Sequence, residues 1–181
     1  NHKFKKGKKI FGLFNKEALI REAHEPSLKD MLDFVLINSK SMLKQGCKGF
    51  FIMAEGSQID WEGHDNDFKG LYNEIEEFEN AITSALAFAM NRQDTLVIVT
   101  ADHETGGLLI EKDTLRYKET NQMKVSWNTA VGKGDHTGSM VPIFAYGPGS
   151  QNFTGILDNT DIFFAMQEAI GITDLPDGSC Y

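Results

Sequence analysis

Asp60, His64, Asp102, His103 and His136 are carboxylates and imidazoles gathered in three short stretches of the chain. The stretches read AEGSQIDWEGHDND (54–67), TADHETGG (100–107) and GDHTGSM (134–140), and three of the 5 His fall in them. Carboxylate and imidazole without thiolate suit a zinc ion in a site that does chemistry, because closed structural zinc sites favour cysteine. Asp60 and His64 stand four apart, so one turn of chain can present both to one ion. Glycines at 56, 63, 106 and 107 permit tight turns around it. Each residue taken singly has a plainer reading. An acid after a strand commonly caps a helix or faces solvent, and His136 alone could bond a neighbouring carbonyl. His2 and His24 lie in polar surroundings and read as surface residues.

The elements that must position these residues follow from the apolar periodicity. Leu28, Met31, Leu32, Val35, Leu36, Met42 and Leu43 mark an amphipathic helix over 27–45, begun near Pro26 and stopped at Gly46. GFFIMA (49–54) has the short apolar run of a buried parallel strand. Phe68, Leu71, Tyr72, Ile75, Phe78, Ile82, Leu86 and Ala89 predict a second helix, capped by Asn66 or Asp67. TLVIVT (95–100) is the strongest strand signal, being β-branched. Strand, helix and strand in that order imply a βαβ unit, so the expected fold class is α/β with a largely parallel sheet flanked by helices. LLIEK (108–112), MKVSW (123–127) and MVPIFAYG (140–147) predict further strands. A last helix follows, capped by Asn159 or Thr160 and stopped at Gly171. Functional groups of open α/β sheets gather at the carboxyl ends of strands, which would bring Glu55, Asp60 and His64 near Asp102 and His103. The glycine-rich loop GKGDHTG would then fold His136 back over that rim.

Length and composition set bounds on the function. At 181 residues the chain reads as a single domain able to bury ~70% of its unfolded surface. Residues 1–10 read as a flexible lead-in. The net charge of −8 argues against a general nucleic-acid binder. Many of the acids sit between Asp60 and Glu79, where divalent cations would offset them. No apolar run approaches the ~20 residues of a membrane span. The N-terminal stretch NHKFKKGKKIFGLF lacks the apolar core and cleavage site of a signal peptide. Cys47 and Cys180 either pair or remain free thiols, and their usage leaves the compartment open.

EGSQIDWEGHDND, LVIVTADHETGG and GDHTGSMVPIFAYGPGS together resemble the three C-terminal motifs of the alkaline phosphatases, in order and in internal spacing. The resemblance runs from about Phe11 to Ile172. It implies the C-terminal portion of the alkaline phosphatase-like fold and hydrolysis of phosphate monoesters through a phosphoserine. It implies two zinc ions and one magnesium: Asp60, His64 and His136 for the first zinc, Asp102 and His103 for the second, and Glu55 for the magnesium. Trp61 follows the zinc aspartate, where some members carry a lysine that helps hold phosphate. It is either a substrate contact or a packing residue. The family further implies a homodimer working in the periplasm or outside the cell.

The departures are as specific as the match. No Asp-Ser pair occurs in the sequence, so no catalytic residue is assigned within this chain. Ser84, in ITSALA, lies in a helical pattern without an acidic neighbour. The family's bridging aspartate is also missing, and Arg21, Arg92 and Arg116 have no context matching its phosphate-clamping arginine. The expectation is therefore a C-terminal part of a longer enzyme, inactive alone, whose partner is its own N-terminal part. Two other readings stay open: another member of the metalloenzyme superfamily (sulfatase, phosphodiesterase or phosphosugar mutase), or a non-catalytic metal-binding module. A truncated enzyme predicts exposed apolar surface, whereas a complete module predicts a covered one.

Overall fold

The computed structural model describes residues 9–44, 46, 49–112, 123–130 and 134–171. Cys47, Cys180, His2, Arg116 and most of the expected lead-in lie outside the described residues. Along the chain run α1 (Leu28–Lys44), α2 (Gln58–His64), α3 (Phe68–Arg92), β1 (Val97–Thr100), β2 (Glu104–Thr105), β3 (Leu108–Lys112), β4 (Met123–Trp127), β5 (His136–Thr137) and β6 (Ile143–Tyr146). A 3₁₀ turn at Ser150–Phe153 and a last helix, α4 (Asp161–Ile170), complete the order. The chain is α/β and divides into two compact units. The first comprises residues 1–55, 77–99 and 143–181; the second comprises 56–76 and 100–142.

In the first unit, α1 begins at a reciprocal cap. Ser27 Oγ accepts the Asp30 N–H at 3.0 Å, and Asp30 Oδ2 accepts the Ser27 N–H at 3.1 Å and its hydroxyl at 2.8 Å. Two backbone donors that the helix cannot satisfy internally are thereby paired. The helix ends before Gly46, whose φ of +97° suits glycine and terminates helical propagation. Its buried face, Leu32 and Leu36, meets Ala81 of α3, with Leu28, Ile52, Ala85 and Phe88 packed around them. Each such leucine contributes about 1.5–3 kcal/mol by leaving water. β1 pairs with β6, as the β-branched run predicted a strand there. At α4, Thr160 occupies the cap position, but its hydroxyl donates to Asp158 Oδ1 at 2.9 Å rather than capping the helix. Gly171, at φ +70°, stops α4 as expected.

One expected strand differs. Residues 49–54 are extended in burial pattern but form no ladder with any described residue. Ile52 packs on the core and Phe50 meets the Phe88 ring edge-on at 6.0 Å, while Phe51 and Met53 are 69% and 73% exposed. The expected burial on both faces is replaced by burial on one, because a strand is defined by a hydrogen-bonded neighbour and none is supplied here. Exposed apolar side chains also include Phe144 on β6 and Phe164 on α4.

The second unit is built from small pieces. β3 and β4 form an antiparallel pair from Leu108↔Trp127 to Lys112↔Met123, and β2 pairs antiparallel with β5. The stretch 58–64, to which the sequence reading assigns no element, is the helix α2, so Asp60 and His64 share a face as an i,i+4 pair. Asn66, at φ +55°, turns the chain out of α2. Asp67 then caps α3, its Oδ1 accepting the Lys69 N–H at 2.9 Å.

Substituting Ser27→Ala is expected to destabilise the fold by about 1 kcal/mol, read as a lower urea midpoint. The Ser27 hydroxyl and backbone N–H hold the Asp30 carboxyl below its ordinary value. A depressed carboxyl stabilises the fold above the ordinary carboxylate range and loses that stabilisation as pH falls through its folded value. The gap between wild type and Ser27→Ala should accordingly shrink on acidification below that range.

Candidate metal centre

The second unit contains all five metal-type residues, Asp60, His64, Asp102, His103 and His136. α2 presents Asp60 and His64. The β2–β5 ladder pairs Thr105 with His136 and so brings the third motif beside the second. The ladder is braced by Glu104, which accepts the Thr137 hydroxyl at 2.5 Å on Oε2 and the Leu108 N–H at 3.1 Å on Oε1. Burial of Glu104 opposes its charge, yet hydrogen bonds from Thr137 and from backbone N–H groups of Leu108 and Gly107 hold its carboxyl below the ordinary range. Gly106 donates its N–H to the Asp135 carbonyl at 3.0 Å with φ of +82°. A Cβ there would lie 2.6 Å from the Gly63 carbonyl oxygen, so glycine is required at this approach. Asn66 fastens the end of α2, donating its side-chain amide to the Thr129 carbonyl at 2.8 Å.

Ligand-type atoms of Asp60, His64 and His136 all lie within 4.8 Å of one another. His64 Nε2 is 3.4 Å from Asp60 Oδ2, His136 Nε2 is 3.5 Å from Asp60 Oδ1, and the two Nε2 atoms are 3.2 Å apart. A tetrahedral zinc with ligand bonds of about 2.0–2.1 Å has ligand–ligand edges of about 3.3 Å, the size of these spacings, with His64 facing one Asp60 oxygen and His136 the other. The tautomer of His64 also fits. Its Nδ1 lies 2.5 Å from the Gly134 carbonyl oxygen, which can only accept, so Nδ1 carries the proton. Nε2 is then the nitrogen facing Asp60 and His136, as in histidines that bind a metal through one ring nitrogen and donate to a carbonyl through the other.

Asp102 and His103 sit alongside. His103 Nε2 is 3.2 Å from Asp102 Oδ2, and its ring stacks on His136 at 3.5 Å between centroids. The Asp102 side chain is 88% exposed, so this pair is open on one side. Glu55 is exposed and belongs to the first unit; Trp61 follows Asp60 on α2 and is 47% exposed. His24 is exposed beside Glu22 at 3.3 Å, as its polar surroundings predicted.

Comparison with known proteins decides what this arrangement belongs to. The family model described as alkaline phosphatase matches residues 1–125 and 109–172. Alkaline phosphatase 4 of Bacillus subtilis is 35% identical, across 86% of this chain and 47% of the relative. The chain belongs to the alkaline phosphatase family. The Escherichia coli alkaline phosphatase is likewise 35% identical, over 81% of this chain and 32% of its own length. Among solved structures, the alkaline phosphatase of the Antarctic bacterium TAB5 superposes with a TM-score of 0.65 at 37% identity. That match covers 82% of this chain and 44% of the TAB5 enzyme. A variant of the TAB5 enzyme has Mg bound in its M3 site. The chain thus spans less than half the length of these relatives.

Sequence reasoning missed two groups within this alkaline phosphatase chain. Gly134 was read only as loop, though its carbonyl fixes His64 and its N–H bonds the His64 carbonyl at 3.2 Å. Thr105, at the end of β2 and two residues beyond His103, is the other, since nothing in its residue type or spacing marks it in the sequence. Its Oγ1 lies 2.5 Å from Asp60 Oδ1 and 3.3 Å from His103 Nδ1.

A Cβ at Gly134 would lie 2.7 Å from His64 Cα. Gly134→Ala should therefore displace His64 and weaken zinc binding by about 10- to 100-fold in a chelator competition. Gly138→Ala, whose added Cβ meets nothing within 4 Å, should leave that affinity unchanged.

Proposed function

We propose that these residues form the metal-binding part of a zinc- and magnesium-dependent enzyme that hydrolyses phosphate monoesters through a phosphoserine. Asp60, His64 and His136 would hold the first zinc, Asp102 and His103 the second, and Glu55 the magnesium. The observation that carries the reading is the convergence of Asp60, His64 and His136, with ligand atoms 3.2 to 3.5 Å apart. Two zinc ions, when bound, supply charge that stabilises attacking and leaving oxygens and acidify a bound water.

The chain's own residues perform the positioning. Gly134 keeps the His64 lone pair on Nε2, and the β2–β5 ladder sets His136 against the Asp60 carboxylate. The open side of Asp102 and His103 leaves room for a phosphate and for a serine that this chain does not carry in an Asp-Ser motif. We assign that nucleophile, the bridging aspartate and the phosphate-clamping arginine to an N-terminal part of the same enzyme, in keeping with a match to 47% of the Bacillus relative. Trp61 is assigned to substrate contact. The full-length enzyme is read as a homodimer of the periplasm or exterior. Among the described residues, no helix is long and apolar enough to cross a membrane.

In the full-length protein, His136→Ala should remove about one zinc per chain by elemental analysis and lower turnover of an aryl phosphate about 100-fold or more, the scale of a lost Lewis acid. Unchanged zinc content and rate would remove the ligand assignment. The 181-residue chain alone should show negligible turnover, and a good rate from pure material would overturn the placement of the nucleophile elsewhere.

A further inference from the structure

We infer that Thr105 is a positioning residue that couples the two candidate zinc sites, orienting Asp60 of one and setting the ring tautomer of His103 in the other. The inference rests on the metal reading above and deepens it. An ionised carboxylate can only accept, so in the 2.5 Å contact the Thr105 hydroxyl donates to Asp60 Oδ1. A hydroxyl has a single proton. Towards His103 Nδ1, at 3.3 Å, Thr105 Oγ1 must therefore accept, and Nδ1 carries the hydrogen. Nε2 is then the ring atom left facing Asp102 Oδ2, at 3.2 Å. A proton or a cation can occupy that gap, and with Nδ1 engaged by Thr105 it is Nε2 that is free to bind a metal.

The threonine's own orientation is fixed from the other side. A Cβ on Gly63 of α2 would lie 3.0 Å from Thr105 Cγ2, so the methyl already fills that approach and holds χ1 of a β-branched residue. With the methyl against Gly63, the hydroxyl remains on Asp60. One side chain thus ties α2 to β2 and both to the ligand sets. Serine would supply the hydroxyl without the methyl; valine would supply the shape without the hydroxyl.

The test compares the full-length wild type, Thr105→Val, Thr105→Ser and Gly134→Ala by zinc titration against a chromophoric chelator and by ring-nitrogen NMR of metal-free protein. Thr105→Val should weaken zinc at both sites by about 10- to 100-fold, whereas Gly134→Ala weakens one. Thr105→Ser should restore affinity to within a few-fold of wild type. In metal-free wild type, His103 should be protonated on Nδ1, and in Thr105→Val it should shift towards the Nε2–H form. A wild-type His103 protonated on Nε2 would overturn the bridge even if the valine variant failed to fold. So would a folded Thr105→Val protein with both zinc affinities unchanged. Wild type that takes up no zinc at all would instead overturn the metal reading itself.

Discussion

Two imidazole nitrogens 3.2 Å apart, each within 3.5 Å of a carboxylate oxygen, form an arrangement that a shared proton or a cation holds together. Lone pairs do not gather at that spacing by their own attraction. They are held there by what grips the far side of each ligand: a main-chain carbonyl on His64 and a threonine hydroxyl on Asp60. The surrounding architecture of the second unit can be understood as the means of keeping those grips aligned. Among the described residues its sheets are two-stranded, and the β2–β5 ladder is two residues long, too short to be stable by itself. Glycines at 106 and 134, the Asn66–Thr129 bond and the Glu104–Thr137 brace take over the work that a broad sheet would do.

The first unit is assembled by different physics. Its core rests on Leu32, Leu36 and Ala81 with a few half-buried neighbours, a small apolar centre for the chain it organises. Phe51, Met53, Phe144 and Phe164 remain exposed beside it. Exposed apolar surface on this scale is what a truncated enzyme predicts and a self-contained module does not. It agrees with a chain that spans 47% of the Bacillus alkaline phosphatase 4 and 44% of the TAB5 enzyme.

The exposed strand-like segment 49–54 and the candidate metal ligands differ in how much they depend on remote partners. Ile52 finds the core through alternation alone, yet the backbone of that segment lacks a ladder among the described residues. The ligands, by contrast, obtain their partners from within residues 56–76 and 100–142. A side-chain cluster can therefore be organised locally where a sheet is not, because side-chain grips span a few ångströms and a ladder needs a whole neighbouring strand.

Much was determined by the residues themselves. The apolar spacing located α1, α3, α4, β1, β3 and β4, since periodicities of 3.6 and 2 are written directly into which positions must leave water. The cap positions at Ser27, Asp67 and Thr160 and the stops at Gly46 and Gly171 follow from local backbone chemistry. So does the family, because the three motifs are contiguous in sequence. Only tertiary structure decided that 58–64 would be helical and that 49–54 would stand without a ladder. It alone brought Gly134 and Thr105 behind His64 and Asp60. The last two placements depend on contacts between residues 45 and 70 positions apart, and such contacts leave no periodic trace along the chain.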